Sequence, residues 1–189
     1  MARSRRSAYP TLRFTTIVPP VSGAAIGSKR IVGVYVRLLP AELRHLQEHP
    51  DALLNYDLRG PLKDGRALDL GRAWESLAVL VDGGVRLPER GPTLGQLALP
   101  DCDHRAAWSC VEAAGVVTFA EVLATTCRQF AKLYGVDGED TDPYLSDGRT
   151  GGYRGNQDYL IKKLEQLSIH YQTAVARGEA MLVRIGESL

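Results

Sequence analysis

The stretch from Gly33 to Gly84 constrains this chain more than any other. It opens with GVYVRLL, passes through AELRHLQEHPDALL, and ends in LDLGRAWESLAVLVDGG. Ile31 to Leu39 is rich in β-branched and apolar residues. Val32, Val34 and Val36 fall on one side, with Gly33, Tyr35 and Arg37 on the other, which predicts a strand with one buried face. Pro40 suits a first helical turn, where its missing N–H is not needed. Leu39, Leu43 and Leu46 then give a short helix that ends before Pro50, and Asp51 is placed to cap a further turn. NYDLRGPLKDGRA reads as a loop. Beyond it Asp69 is read as the cap of a strong helix carrying Leu70, Ala73, Trp74, Leu77 and Leu80 or Val81, stopped by Gly83 and Gly84.

The rest of the chain supplies fewer and weaker signals. VRLPERGPTLGQLALPDCD is punctuated by proline and glycine and is read as a loop with one short strand. His104 to Ala114 is read as a helix through Ala107, Cys110 and Val111. Thr118 and Glu121 have the spacing of a capping box, with Val117 and Val122 as its staple, so a new helix is expected to begin there and run to Gly135. A long polar segment follows, and Asn156 caps a last helix whose stripe is Tyr159, Leu160, Leu164, Leu167, Tyr171 and Ala174, closed by Gly178. Ala180 to Ile185 reads as a closing strand. Strands near both ends with helices between them make the class α+β, mostly helical, with a small sheet packed by helices.

Residues 1–31 differ in kind. They hold six basic residues, no acidic one and three prolines, with no sustained periodicity. The segment is read as a disordered tail or a mis-called N-terminal extension, and 32–186 as one folded domain. A chain of 189 residues suits a single core of that size. The leader lacks the unbroken apolar run of a secretory signal, and no stretch approaches the roughly 18 to 20 apolar residues that span a bilayer. A net charge of +1 supplies no global field for nucleic acid or anionic lipid. Three cysteines, Cys102, Cys110 and Cys127, form an odd set without CxxC spacing, which points to reduced thiols in a cytoplasmic protein and not to a disulfide framework.

Several motifs could carry chemistry. His45-Leu46-Gln47-Glu48-His49 matches H-x-x-E-H in letters. Zinc, however, needs a third protein ligand, and the helix is short and followed at once by Pro50, so two solvated histidines near a helix C-terminus are expected and no metal. Asp147 to Asn156 brings flexible backbone with Arg149 and Arg154 to the start of a helix, a setting that attracts anions, although no nucleotide-binding fingerprint is present. Asp137, Glu139, Asp140 and Asp142 lack the EF-hand spacing and are read as a solvated acidic turn. Ser109, Cys110, Thr125, Thr126 and Cys127 stand in no nucleophile motif, and the cysteines are expected to be buried in helices.

The series GVYVRLLPAEL, PDAL, LDLGRAWESLAVLVDGG, VTFAEV and DYLIKKLEQLSIHYQTAVARGEAMLVRI resembles the YfbM-like family, domain of unknown function 1877. Leu68, Asp69, Ala73 and Trp74 match its tryptophan helix. This chain has Glu75 where family members often carry histidine, and the region from Arg86 to Ala114 fits the pattern poorly. The resemblance implies a small bacterial cytoplasmic α+β protein with no catalytic residues to transfer and no cofactor. Two functions are compatible with it. One is a module that binds another protein, the immunity type included. The other is an enzyme-like domain that binds a small molecule or anion in a cleft near Trp74 and the 148–156 loop. Asp69, Trp74, Glu75, Arg149, Arg154 and Asn156 are the candidate ligand-binding residues.

Overall fold

The computed structural model describes residues 30–82, 91–100, 105–134 and 157–188. It shows an α+β domain built on a five-stranded antiparallel sheet in the order β2-β1-β5-β4-β3. The strands are β1 (Ile31–Leu38), β2 (Ala67–Gly71), β3 (Leu97–Ala98), β4 (Ala106–Val111) and β5 (Ala180–Glu187). The helices are α1 (Pro40–Glu48), α2 (Arg59–Lys63), α3 (Ala73–Leu77), α4 (Ala113–Tyr134) and α5 (Gln157–Arg177), with a 3-10 helix at Pro50–Asn55 and a wide π-type turn at Ala78–Asp82. β1 and β5, from opposite ends of the domain, pair along eight residues from Ile31↔Glu187 to Leu38↔Ala180.

Both faces of this sheet are covered. On one face Tyr35, Leu70, Met181 and Val183 meet Leu77, Phe119, Leu123, Leu164, Leu167 and Tyr171 from α3, α4 and α5. On the other, Val32, Val34, Val36, Leu182, Trp108 and Cys110 meet Leu43, Leu46, Leu53 and Leu58. The expectation of one buried face on β1 is therefore corrected: from Val32 to Leu38 every residue is buried. Tyr35 and Arg37 look like a solvent-facing set in the sequence because they carry polar atoms. Their polar ends are paired inside the protein.

Pro40 opens α1 as the sequence predicts, and the Glu42 carboxylate accepts the Leu39 N–H at 2.7 Å, which closes the first turn. The turn after it begins at Pro50 with His49 as its cap, not Asp51. The segment read as a loop contains the single-turn helix α2.

Three elements differ more widely from the sequence reading. Asp69 is not a helix cap: it lies in β2, paired with Val34, and the helix starts only at Ala73. The stretch read as a helix from His104 holds strand β4, in which Ala106, Trp108 and Cys110 face one core while Val111 faces the other. β4 is buried on both faces and lacks clean polar alternation, so its apolar residues mimic helical spacing, whereas β2 is a short edge strand whose Leu70 runs on into Ala73 and Leu77 of α3 at helical intervals. The third correction concerns Thr118 and Glu121, which are exposed inside α4 and do not cap it. α4 begins five residues earlier, and Val116 N–H already bonds to the Glu112 carbonyl at 2.9 Å. Gly115 lies within this helix, where a β-carbon would press on Gln96 and Val111.

The last helix and closing strand agree with the sequence reading. Gly178 ends α5 at φ +65°, a conformation natural to glycine, and β5 extends two residues past Ile185. The cap at Asn156, the stops at Gly83, Gly84 and Gly135, and the readings of 1–29 and Asp137 to Asn156 lie outside the described residues.

Candidate functional site

The sequence-predicted residues Asp69, Trp74 and Glu75 come together where β2 turns into α3. The corner is built on a glycine pair. Gly33 of β1 and Gly71 of β2 are cross-strand partners, and the register shifts between Gly33 and Val34. A β-carbon on Gly33 would lie 2.6 Å from Trp74 Cβ, so the indole is seated directly on bare backbone, beside Ile185. Gly71 turns the chain at φ +57°, and the Asp69 carboxylate accepts the Gly71 N–H at 2.7 Å, fixing the turn.

Helix α5 closes the other side. Tyr159 brings its hydroxyl over Gly71, and Lys163 Nζ donates to the Asp69 carbonyl at 3.0 Å while lying 5.8 Å from the Tyr159 ring centre. Trp74, Tyr159 and Lys163 are half-buried, and Asp69, Arg72, Glu75 and Lys162 are exposed. The result is a surface corner with two aromatic side chains inside a rim of both charge signs. Arg149, Arg154 and Asn156 lie outside the described residues, in the segment that leads into α5.

Two buried polar clusters escaped the sequence reading. In the first, the loop from Gly91 to Gln96 is held by side chains from four elements. Tyr35 donates its hydroxyl to the Thr93 carbonyl and Tyr171 to the Pro92 carbonyl, each at 2.7 Å. Ser109 donates to the Leu94 carbonyl at 2.7 Å, and Asp82 accepts from the Thr93 hydroxyl and from its N–H. Burial raises the Asp82 carboxyl to about 6 against the opposing effect of these bonds. Burial also drives both tyrosine hydroxyls well above their usual range.

In the second cluster, buried Arg37 lies 3.4 Å from buried Glu179 and donates to the Gly65 carbonyl at 2.8 Å. His170 Nε2 sits 3.1 Å from the Tyr35 carbonyl. A carbonyl only accepts, so Nε2 carries the proton and Nδ1 is the bare nitrogen. Burial, and next the Arg37 charge, lower this imidazole to about 4, so it is neutral at pH 7. No sequence signal marks either cluster, because the partners lie far apart in the chain and most of them are backbone carbonyls.

The remaining candidates have structural roles. Ser109 is used in the loop tie. Cys110 is fully buried in β4, not in a helix, and its sulfur accepts from Gln47 at 3.7 Å, with burial pushing the thiol up. Cys127 is half-buried in α4 and is shifted up for the same reason. Cys102 and His104 lie outside the described residues. Among the described residues no three metal-donor side chains stand together, and no helix is long and apolar enough to cross a membrane.

Comparison with known proteins agrees with this architecture. The chain is similar to YfbM from Escherichia coli, whose crystal structure is that of a protein of unknown function. The similarity has a TM-score of 0.53 at 16% identity and covers 82% of this chain and 99% of that one. No curated protein matches. The profile of the family described as Domain of unknown function (DUF1877) matches residues 30–184. With a match over most of its length and the fold of a YfbM structure, the chain belongs to the YfbM-like DUF1877 family.

Proposed function

We propose that this protein is a protein-interaction module, of the immunity type, that docks a partner protein on the β2–α3 corner in the bacterial cytoplasm. The observation that supports this reading is the make-up of the corner. Trp74 and Tyr159 are half-buried over the Gly33–Gly71 pair, with exposed Asp69, Arg72 and Glu75 beside them and Lys163 bonded to the Asp69 carbonyl. Interfaces concentrate their energy in such aromatic anchors, and the charged rim sets specificity and approach. The corner sits on secondary structure, so little conformational freedom is lost on binding.

A second reading is favoured by one feature. Lys163 brings its ammonium to the corner, 3.0 Å from the Asp69 carbonyl and beside the Tyr159 ring, so a small anion bound next to Trp74 would meet a cation there. The two readings separate in a paired affinity capture from native lysate, using the wild type and Glu75→Arg. Glu75 is exposed, so circular dichroism should show the same fold in both. The interaction reading expects one stoichiometric protein held by the wild type and lost by the variant. A co-purified metabolite with no protein partner would overturn it in favour of the second.

A further inference from the structure

The sequence motif around α1 has a geometry that neither function uses. His45 and His49 are both exposed, and their ring centres lie 4.8 Å apart with a 57° angle between the planes. Two imidazoles on adjacent positions of one ion, each bound through nitrogen at about 2.0 to 2.1 Å, place their ring centres about 5 Å apart. The pair therefore stands close to the separation that shared coordination requires.

The objection from sequence was a short helix broken by proline, and the structure answers it. α1 is anchored by buried Leu43 and Leu46. His49 donates its N–H to the His45 carbonyl at 2.9 Å, and its own carbonyl accepts from Ala52 at 3.0 Å. Pro50 starts the next helical turn and so fixes the chain just beyond the pair. Both histidine backbones are held, so the two side chains project from fixed positions one turn apart and binding of the first raises the local concentration of the second.

We propose that His45 and His49 form a two-imidazole chelate for a borderline divalent transition ion such as Cu(II), Ni(II) or Zn(II). No third donor side chain among the described residues joins them, so the other coordination positions are filled by water. This is a surface chelate and not the closed site of a structural zinc.

The test is isothermal titration of the full chain with CuCl2, NiCl2 and ZnCl2, repeated for His45→Asn, His49→Asn and His104→Asn. The wild type should bind one ion at this site, with copper the tightest as the Irving–Williams order requires. Each substitution at His45 or His49 should weaken binding by about tenfold or more, because either one removes the chelate. His104→Asn should leave it unchanged. His45 and His49 are exposed, so circular dichroism should show both variants folded. Affinity equal to the wild type in His49→Asn would overturn the proposal, as would the absence of any histidine-dependent heat.

Discussion

At the scale of single residues, glycines and buried ionisable groups decide most. Gly33 exists for Trp74. Gly33→Ala places a methyl 2.6 Å from Trp74 Cβ and is expected to cost about 1–3 kcal/mol in chemical denaturation. A neutral result would mean the indole is not seated on that strand. Asp82 and His170 make opposite contributions to acid stability. The Asp82 carboxyl is raised from 3.8 to about 6, so its contribution is full below pH 3.8 and is lost as pH rises through 6. The His170 imidazole is lowered from 6.5 to about 4, so its contribution is full above pH 6.5 and is lost as pH falls through 4. Asp82→Asn keeps an oxygen for the Thr93 N–H and removes only the first effect. Its urea midpoint should therefore rise more steeply than that of the wild type between pH 4 and pH 6. Parallel profiles would contradict this assignment.

At the scale of elements, legibility followed burial. β1, α1, the long last helix and β5 were readable because their strongest local signals agree with their packing. Pro40 sits at a helix start, Gly178 takes a left-handed φ, and the Leu164–Leu167–Tyr171 stripe packs into the core against the sheet. β2 and β4 were not readable as strands. β4 is covered on both sides and its polar residues are too few to reveal a period of two, while in β2 the alternation of Leu68, Asp69 and Leu70 is only three residues long before the chain enters α3. Thr118 shows how a correct local motif is overridden. It has the right partner at the right spacing, yet α4 already extends five residues upstream, where Val111 and Val116 enter the core. Thr118→Ala is expected to change stability by less than about 0.5 kcal/mol, as for an exposed helix interior. A true cap would cost about 1 kcal/mol, and a loss of that size on thermal or urea unfolding would contradict the longer helix.

For the whole molecule, the decisive fact is that strands from the two ends of the domain lie side by side at the centre of the sheet. The Arg37–Glu179 pair sits at one end of that junction. It links β1, the α5–β5 turn and the Gly65 loop. Removing either charge leaves the other buried. Arg37→Met and Glu179→Leu alone should each cost about 3–5 kcal/mol, and the double variant clearly less than their sum. Additive costs in a double-mutant cycle would show that the pair is not coupled. The candidate site was half legible: Asp69, Trp74 and Glu75 do share a corner, but Tyr159 and Lys163 join them only through the packing of a helix nearly a hundred residues away.

With both sheet faces spent on core, the β2–α3 corner is the proposed surface for partner recognition. Hydrogen–deuterium exchange of the purified complex tests it most directly. New protection is expected only at 67–79 and 157–163, with the α1 face unchanged. Protection elsewhere, with 67–79 exchanging as in the free protein, would contradict it.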